Sequence, residues 1–272
     1  MSQHYEVYAI AFGRVDRQAS GNFIGGVIAD RSMPLVYYVW VIRSAGRVIV
    51  VDTGYDQASA DRRRRALLKP VEAGLRALAI DPAAVQDVIV THMHYDHAGN
   101  GTLFPNARYH LQDAEMAFAT GRCMCHAHVR SPYDVEDVAA MVRRVYAGLV
   151  NFHEGPGTVA PGVGVHRIGG HSRGLQAVTV ETERGTLVLA SDAIPFYAHF
   201  QSRRVYPVID CLPDILDGYR TIDELASRPE HIVPGHDPEV MEIFPAFSAE
   251  TRGWIARLHE GPLRPPAVWL DG

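Results

Sequence analysis

The apolar positions of this chain fall into short dense runs separated by turn residues, with helical spacing in several of the segments between. Residues 35–43 (LVYYVWVIR) and 47–52 (RVIVVD) are rich in β-branched and aromatic side chains, and Ala45-Gly46 separates them, which predicts a β-hairpin. Residues 57–78 are rich in Ala, Arg and Leu and read as helix, with Pro70 expected to break or kink it. Strands follow at 86–91 and 107–111, and 113–120 reads as helix. The character changes over 121–155, where a Cys/His loop leads into a helix predicted from Val135 to Leu149. Later strands are predicted at 163–168, 175–182 and 186–191, with Gly185 turning between the last two. A helix kinked near Pro213 is expected over 212–227, then a short apolar run at 231–233, one more helix after Ser248 and a Pro-rich end. Interleaved helices and strands with hairpins in the first half predict an α/β protein. Its strands form two mixed sheets covered by outer helices, not one parallel sheet.

Composition adds few constraints. The 272 residues are 47% hydrophobic and 21% charged, enough apolar material for a sizeable core. No repeat, low-complexity tract or Ser/Gly-rich linker divides them, so one domain over 1–272 is expected, with 121–155 as an insert that shapes a substrate pocket. A net charge of −5 from 26 basic and 31 acidic residues argues against nucleic acid as the default partner. Arg62 to Arg65 form the densest basic run and read as a solvated helix face. No window reaches the roughly 18 apolar residues that span a bilayer, so no membrane partner is expected. The N-terminal MSQHYEVYAIAFGRVDR lacks a basic segment followed by a long apolar stretch. Three cysteines make a disulfide framework improbable, and a cytoplasmic location is expected. Cys123-Met124-Cys125, near His126 and His128, has no matching second half and reads as a loop segment.

The chemistry concentrates in residues 88–100, VIVTHMHYDHAGN. Alternate side chains of an extended segment share a face, so His92, His94 and Asp96 project together as the strand runs out, with His97 just beyond. Ala98-Gly99 leaves room for close backbone approach. Imidazoles and a carboxylate at this density are costly to bury unpaired, and a dication relieves the cost by accepting their lone pairs. The set is too large for one tetrahedral zinc with an open position and suggests two metals sharing a loop. Three further candidates stand where apolar runs stop: His171 in IGGHS, Asp192 at the end of TLVLASD, and His236 in HIVPGHD.

THMHYDH resembles the signature of the metallo-β-lactamase superfamily, and IGGHS, SDA and PGHD resemble its remaining metal-binding motifs in the expected order. VVDTG, residues 50–54, resembles the family's early strand end, which implies that Asp52 braces the metal loop by hydrogen bonding without being a ligand. The resemblance runs from about Val36 to Asp237. It implies an αβ/βα four-layer sandwich of two mixed β-sheets flanked by helices, with a dinuclear site at the sheet edges. It also implies that His92, His94 and His171 hold one metal, Asp96, His97 and His236 the other, and that Asp192 bridges them. An all-nitrogen first site suits zinc, so two Zn2+ are the expected cofactors, with iron, manganese and cobalt as alternatives.

Paired dications lower the pKa of a shared water, making hydroxide available near neutral pH for esters, thioesters, amides or phosphodiesters. LVYYVWVI, VIVVDTGYD, HMHYDHAGNG and FPNARYHLQDAE resemble the N-acyl homoserine lactonase branch. That resemblance implies attack of a metal-bridging hydroxide on a lactone carbonyl, and a tyrosine after the bridging aspartate that hydrogen-bonds the substrate. The nearest such residue is Tyr197, further along than the usual pattern, so the role requires Pro195 to turn the loop back. Asp96 is the candidate to carry a proton to the leaving alkoxide, and Phe23, Ile24, Met33 and Phe196 are candidates to contact an apolar substrate portion. The expectation is a dinuclear zinc lactonase, quorum-quenching if its substrate is an acyl homoserine lactone; a related cyclic ester is the other option. Alternatives are a glyoxalase II-like thioesterase, a phosphodiesterase, and a non-hydrolytic metal oxidoreductase. The tail beyond Glu250 has three arginines and no lysine, short of the basic elements expected for glutathione. A homodimer through the outer helices is compatible with the pattern.

Overall fold

The computed structural model describes residues 4–269. Its strands are β1 (Glu6–Val15), β2 (Leu35–Ser44), β3 (Arg47–Val51), β4 (Ala66–Leu67), β5 (Asp87–Ile89), β6 (Arg108–Gln112), β7 (Val150–His153), β8 (Gly157–Ala160), β9 (Val163–Arg167), β10 (Gln176–Thr182), β11 (Gly185–Leu189), β12 (Ile232–Val233) and β13 (Ile255–Arg257). An eight-stranded sheet runs β13-β1-β2-β3-β5-β6-β7, with β4 also on β1, and a five-stranded sheet runs β12-β11-β10-β9-β8. Both are mixed: β1, β2 and β3 pair antiparallel whereas β3, β5, β6 and β7 pair parallel, and β12 joins β11 parallel in an otherwise antiparallel sheet.

The period-two alternation of side chains explains why these strands read as unbroken apolar runs. In β2, Val36, Tyr38, Trp40 and Ile42 point into the core between the sheets, while Tyr37, Val39 and Val41 point to the opposite face. Val7, Ala9 and Ala11 of β1 and Ile49 and Val51 of β3 join the inter-sheet core, facing Val178 and Val180 of β10 and Leu187 and Leu189 of β11. The outer face of the larger sheet is covered by Val71, Leu75 and Phe118, among others, from the helices Val71–Ala77 and Asp113–Ala119. Ile215, Tyr219 and Ile222 of the helix Leu212–Leu225 cover Ala177 and Val188 on the outer face of the smaller sheet. The result is helix, sheet, sheet, helix, the four-layer sandwich that the resemblance implied.

Several predicted elements take a different form. The helix expected over 57–78 is two helices, Gln57–Arg63 and Val71–Ala77, separated by β4, because Arg64 adopts a left-handed conformation at the end of the first and Pro70 precedes the second. Pro213 does not kink its helix, since it sits in the first turn where its missing N–H costs nothing. The tail after Ser248 forms turns and β13 instead of a helix; Ile255 and Ala256 are drawn onto β1 by burial in the two cores. No helix among the described residues is long and apolar enough to cross a membrane.

Strand ends gather on one edge. β3 and β5 run parallel, as do β11 and β12, so the loops that follow them emerge on matching sides. The amide of Asp52 donates to Ile89 O at 2.8 Å, that of Ala190 to Val233 O at 2.9 Å, and that of Gln176 to Thr91 O at 3.0 Å, the last linking the two sheets. Trp40, fully buried, anchors the layer between them. Trp40→Ala is expected to cost about 3–5 kcal/mol of stability through lost burial and a residual cavity, measured by urea unfolding; a loss below about 1 kcal/mol would show that this layer does not carry the fold.

Candidate metal centre

Each loop that leaves this edge delivers ligating groups inward. His92, His94, Asp96 and His97 follow β5, His171 follows β9, Asp192 follows β11 and His236 follows β12. All are buried, and their ligand atoms form three groups lying within 4.8 Å of one another: His92, His94 and His171; His92, His97 and Asp192; Asp96, His97 and His236. Seven side chains scattered over the sequence thus converge on one place.

The backbone is shaped for this convergence. Asp52 and Ser191 adopt φ of 63° and 47°, a left-handed conformation that non-glycine residues occupy at a cost and that clusters at functional sites. Gly170, before His171, has φ of 82°, and a Cβ there would lie 2.6 Å from the Ile215 amide nitrogen. At Gly235, before His236, a Cβ would lie 2.5 Å from Ser191 O. Only glycine lets these two loops approach their neighbours closely enough.

A second layer of hydrogen bonds aims the rings. His97 donates from Nδ1 to Asp52 Oδ2 at 2.6 Å, His171 from Nδ1 to Val208 O at 2.9 Å, and His236 from Nδ1 to Val36 O at 3.0 Å. In each ring this bond holds the outer nitrogen and turns Nε2 inward, the orientation metal-binding histidines adopt. Asp52 also accepts from the Thr91 amide at 2.7 Å and the Thr91 hydroxyl at 2.9 Å; Thr91 Oγ1 lies 2.9 Å from Ser191 Oγ. The bracing role implied for Asp52 is thus visible as geometry. Glu115 braces the other side: its carboxylate accepts from the Met93 amide (2.9 Å), Ser172 Oγ (2.7 Å), the Gly174 amide (3.0 Å) and Tyr133 OH (3.1 Å). It ties the His92–His94 loop to the His171 loop. Sequence reasoning missed it, because an acidic residue in the first turn of a helix reads as a dipole partner facing solvent.

The inner atoms are not satisfied in this way. His92 Nε2, His97 Nε2 and Asp192 Oδ1 are buried without a hydrogen-bond partner among the described residues. Asp192 Oδ1 lies 3.1 Å from His97 Nε2 and 2.9 Å from His236 Nε2, and Oδ2 lies 3.2 Å from His171 Nε2. One carboxylate therefore spans both halves of the cluster, with each oxygen facing a different half. Burial holds His92 and His94 well below the ordinary imidazole pKa, with neighbouring imidazoles adding to the effect, so both are neutral donors. Burial also raises the cost of ionising Asp192, yet His236, His97 and His171 together hold it well below the usual carboxylate range. Against burial, Asp96, Asp52 and Asp192 raise the His97 imidazole well above its ordinary pKa, and Asp192 raises that of His236, so a cation would take the place of the inner proton on those two rings. Imidazoles and carboxylates facing inward at this density are the donor set that a pair of divalent cations requires. The residues present fit such a pair.

A cleft of about 500 Å³ opens onto this cluster; His94, Asp96, His171, Asp192 and His236 line its floor. Ser131 and Pro132, from the segment 121–155, form part of one wall, held by the Tyr95 amide donating to Pro132 O at 2.9 Å. Tyr206 and Tyr37 also line it. Burial pushes the Tyr206 phenol up to about 12, against Arg17, so it stays protonated at neutral pH. Arg17 donates to Tyr206 OH, which leaves the phenol's own hydrogen for a ligand.

The expectation for Tyr197 is not met. Pro195 O is taken up in accepting the His236 amide at 2.9 Å, the chain then enters the helix Tyr197–Ser202, and the Tyr197 ring packs into the inter-sheet core. Tyr206, from a loop that carries no sequence pattern, occupies the cleft instead. Phe23 and Phe196 pack in a small core of their own with Met33 alongside, and neither these three nor Ile24 lines the cleft. Cys123 and Cys125 are free thiols outside the three ligating groups. The basic run also departs from its reading as a solvated face: Arg62 pairs with Asp134 at 2.8 Å, whereas Arg63 and Arg65 line the cleft.

Comparison with known proteins identifies the family and the fold. Residues 33–244 match the metallo-beta-lactamase superfamily. The N-acyl homoserine lactonase of Azorhizobium caulinodans is 28% identical over 178 residues, 63% of this chain and 65% of the relative. That of Agrobacterium fabrum is 30% identical over 175 residues, 61% of each protein. The chain thus spans less than two thirds of the length of these curated relatives. Among solved structures, a quorum-quenching N-acyl homoserine lactone lactonase superposes with a TM-score of 0.71 at 22% identity, covering 87% of this chain and 93% of the other. A dizinc quorum-quenching lactonase superposes with a TM-score of 0.66 at 14% identity, covering 87% and 88%.

Removing the Asp52 carboxylate frees the His97 ring and the Thr91 loop together. Asp52→Ala is expected to weaken metal binding about 10–100-fold while the protein stays folded, read by competition with a chromophoric chelator and by circular dichroism. Unchanged affinity would remove Asp52 from the supporting layer.

Proposed function

The chain belongs to the metallo-beta-lactamase superfamily, and from that membership and the seven-residue cage we propose that it is a dinuclear metal-dependent hydrolase that opens a lactone ring. His92, His94 and His171 would hold one ion and Asp96, His97 and His236 the other, with Asp192 available to both. The observation that carries the assignment is the placement of Asp192, with one oxygen 3.2 Å from His171 and the other 3.1 and 2.9 Å from His97 and His236. The nitrogen-rich first set favours zinc. When bound, two such ions supply Lewis acidity and an ionised water near neutral pH.

The chain's own residues then orient the ester and manage its protons. Tyr206 donates a hydrogen bond to the substrate carbonyl, the role that the sequence pattern offered to Tyr197. Asp96, 3.5 Å from His97 Nε2 and 3.9 Å from His236 Nε2, faces the cleft and is placed to pass a proton to the ring oxygen as it leaves. Hydrolysis breaks the acyl carbon–ring oxygen bond and adds the elements of water. The ring oxygen becomes an alcohol, and the new acid ionises, releasing one proton per turnover. A smaller cavity of about 220 Å³, beside His94 and His171, offers Phe118, Val129, Pro207 and Ile209 for an apolar substituent. The segment 121–155 supplies Val129 and the Ser131–Pro132 wall and acts as the pocket insert of one domain. The lactone preference draws on the two curated relatives, both named N-acyl homoserine lactonases; a related cyclic ester fits the same cage. Its free cysteines suit a reducing, cytoplasmic location.

A pH-indicator screen over lactones, thioesters and phosphodiesters tests this reading. Lactones are expected to turn over fastest, activity to vanish with chelator and return with zinc, and His94→Ala to abolish it. Fast thioester turnover with inert lactones would replace the lactone reading with the thioesterase one. Tyr206→Phe is expected to lower kcat/KM about tenfold, and Tyr197→Phe to leave it within about twofold. The reverse pattern would restore Tyr197 to the site.

A further inference from the structure

Three guanidinium groups, those of Arg17, Arg63 and Arg65, line the cleft over the metal cage. Several arginines elsewhere in the molecule sit against carboxylates, among them Arg43 with Glu6, Arg47 with Asp87, Arg62 with Asp134 and Arg264 with Glu239. The three cleft arginines form no ion pair among the described residues. Two of them are nevertheless well engaged with neutral groups. Arg63 donates to Ser131 O at 2.9 Å and Tyr133 O at 2.8 Å, with its guanidinium 4.0 Å from the Tyr95 ring centroid. Arg17 donates to Gly21 O at 3.0 Å and to Tyr206 OH.

Arg65 differs from both. Its Nε donates to Tyr95 OH at 3.0 Å, which fixes the plane of the group, and Tyr95 OH in turn donates to Tyr37 OH at 3.1 Å. Both terminal nitrogens make no hydrogen bond among the described residues. The four terminal N–H groups of this half-buried, always-charged fork face the cleft unengaged by the protein, in the geometry that pairs with a carboxylate. The carboxylates of the cleft are already committed: Asp96 and Asp192 belong to the cage, and Asp16 pairs with Arg14 at 2.8 Å. The fork is therefore open to an anion that enters the cleft from outside the chain.

We infer that the lactone this cleft selects carries a carboxylate, which docks on the Arg65 fork between Arg63 and Arg17 while its ring carbonyl lies over the cage. The inference rests on the lactone reading and narrows it, since a plain acyl lactone is neutral and leaves the Arg65 fork unused. Ring opening then turns a monoanion into a dianion, with the ester C–O bond broken and the elements of water added as above.

The test compares γ-butyrolactone with its γ-carboxylate, and calorimetric binding of their open-chain products, γ-hydroxybutyrate and α-hydroxyglutarate, to the metal-loaded protein. The carboxylated lactone is expected to have at least about tenfold higher kcat/KM, carried by KM, and α-hydroxyglutarate to bind at least about tenfold more tightly. Both preferences are expected to collapse towards one in Arg65→Met, to survive in part in Arg65→Lys, and to shrink with added salt. Arg76→Gln, an exposed helix position bonded to Glu72, serves as the remote control and should leave them intact. Arg65→Gln repeats the comparison should the methionine variant fail to fold. Equal handling of the charged and neutral partners, or a preference that Arg65→Met leaves unchanged, overturns the inference. If neither lactone is opened, the lactone reading fails and the calorimetric pair still decides: a dianion preference lost in Arg65→Met upholds the Arg65 site, and its absence removes it.

Discussion

Burying seven metal-ligating side chains within reach of one another sets a condition that hydrogen bonding alone does not meet. The outer nitrogens of His97, His171 and His236 are satisfied by Asp52, Val208 O and Val36 O. Their inner nitrogens, with His92 Nε2 and both oxygens of Asp192, crowd a common centre in which several atoms lack a partner. Such a centre is unfavourable when dry and empty and favourable around cations, so occupation by cations is expected to stabilise the fold. The strained backbones of Asp52 and Ser191 and the close approaches at Gly170 and Gly235 belong to the same requirement. Two sheets covered on their outer faces by helices make that strain sustainable, because the strands leading into the loops are buried on both faces and cannot shift.

How much of this was legible in the sequence follows from what each feature depends on. The His92–His97 cluster, His171, Asp192 and His236 stand at the ends of apolar runs, and period and spacing suffice to find them. The same holds for the β2–β3 hairpin. What escaped depends on tertiary placement. β1 carries alternate residues to two different cores, and the tail forms β13 because β1 offers it an edge. Tyr197 is the nearest tyrosine after Asp192 in the sequence, but the carbonyl of Pro195 is held by the His236 amide and the chain turns into a helix there. Tyr206 and Glu115 act through contacts with residues that are remote in sequence, and no periodicity marks them. Arg62 to Arg65 were visible as a run, yet the left-handed turn at Arg64 and the short β4 that follows divide them between a surface ion pair and the cleft.

The cleft combines two kinds of surface on one cage. Arg17, Arg63 and Arg65 give one side a fixed positive character, while Phe118, Val129 and Ile209 give the adjoining cavity an apolar one. In metal-dependent hydrolases generally, the metals set the class of bond cleaved and the pocket walls select the molecule that presents it. The segment 121–155 contributes Ser131 and Pro132 to the one and Val129 to the other, and Tyr133, Glu115 and the bridge between His94 and Tyr133 tie it to the loops of the cage.

The central claim is that the cage holds two ions, and anomalous scattering at the zinc edge from crystals grown with zinc measures this directly. The account predicts two peaks, one among His92, His94 and His171 and one among Asp96, His97 and His236, with Asp192 between them. A map with no peak in the cage, or a single peak bound by other residues, would contradict it.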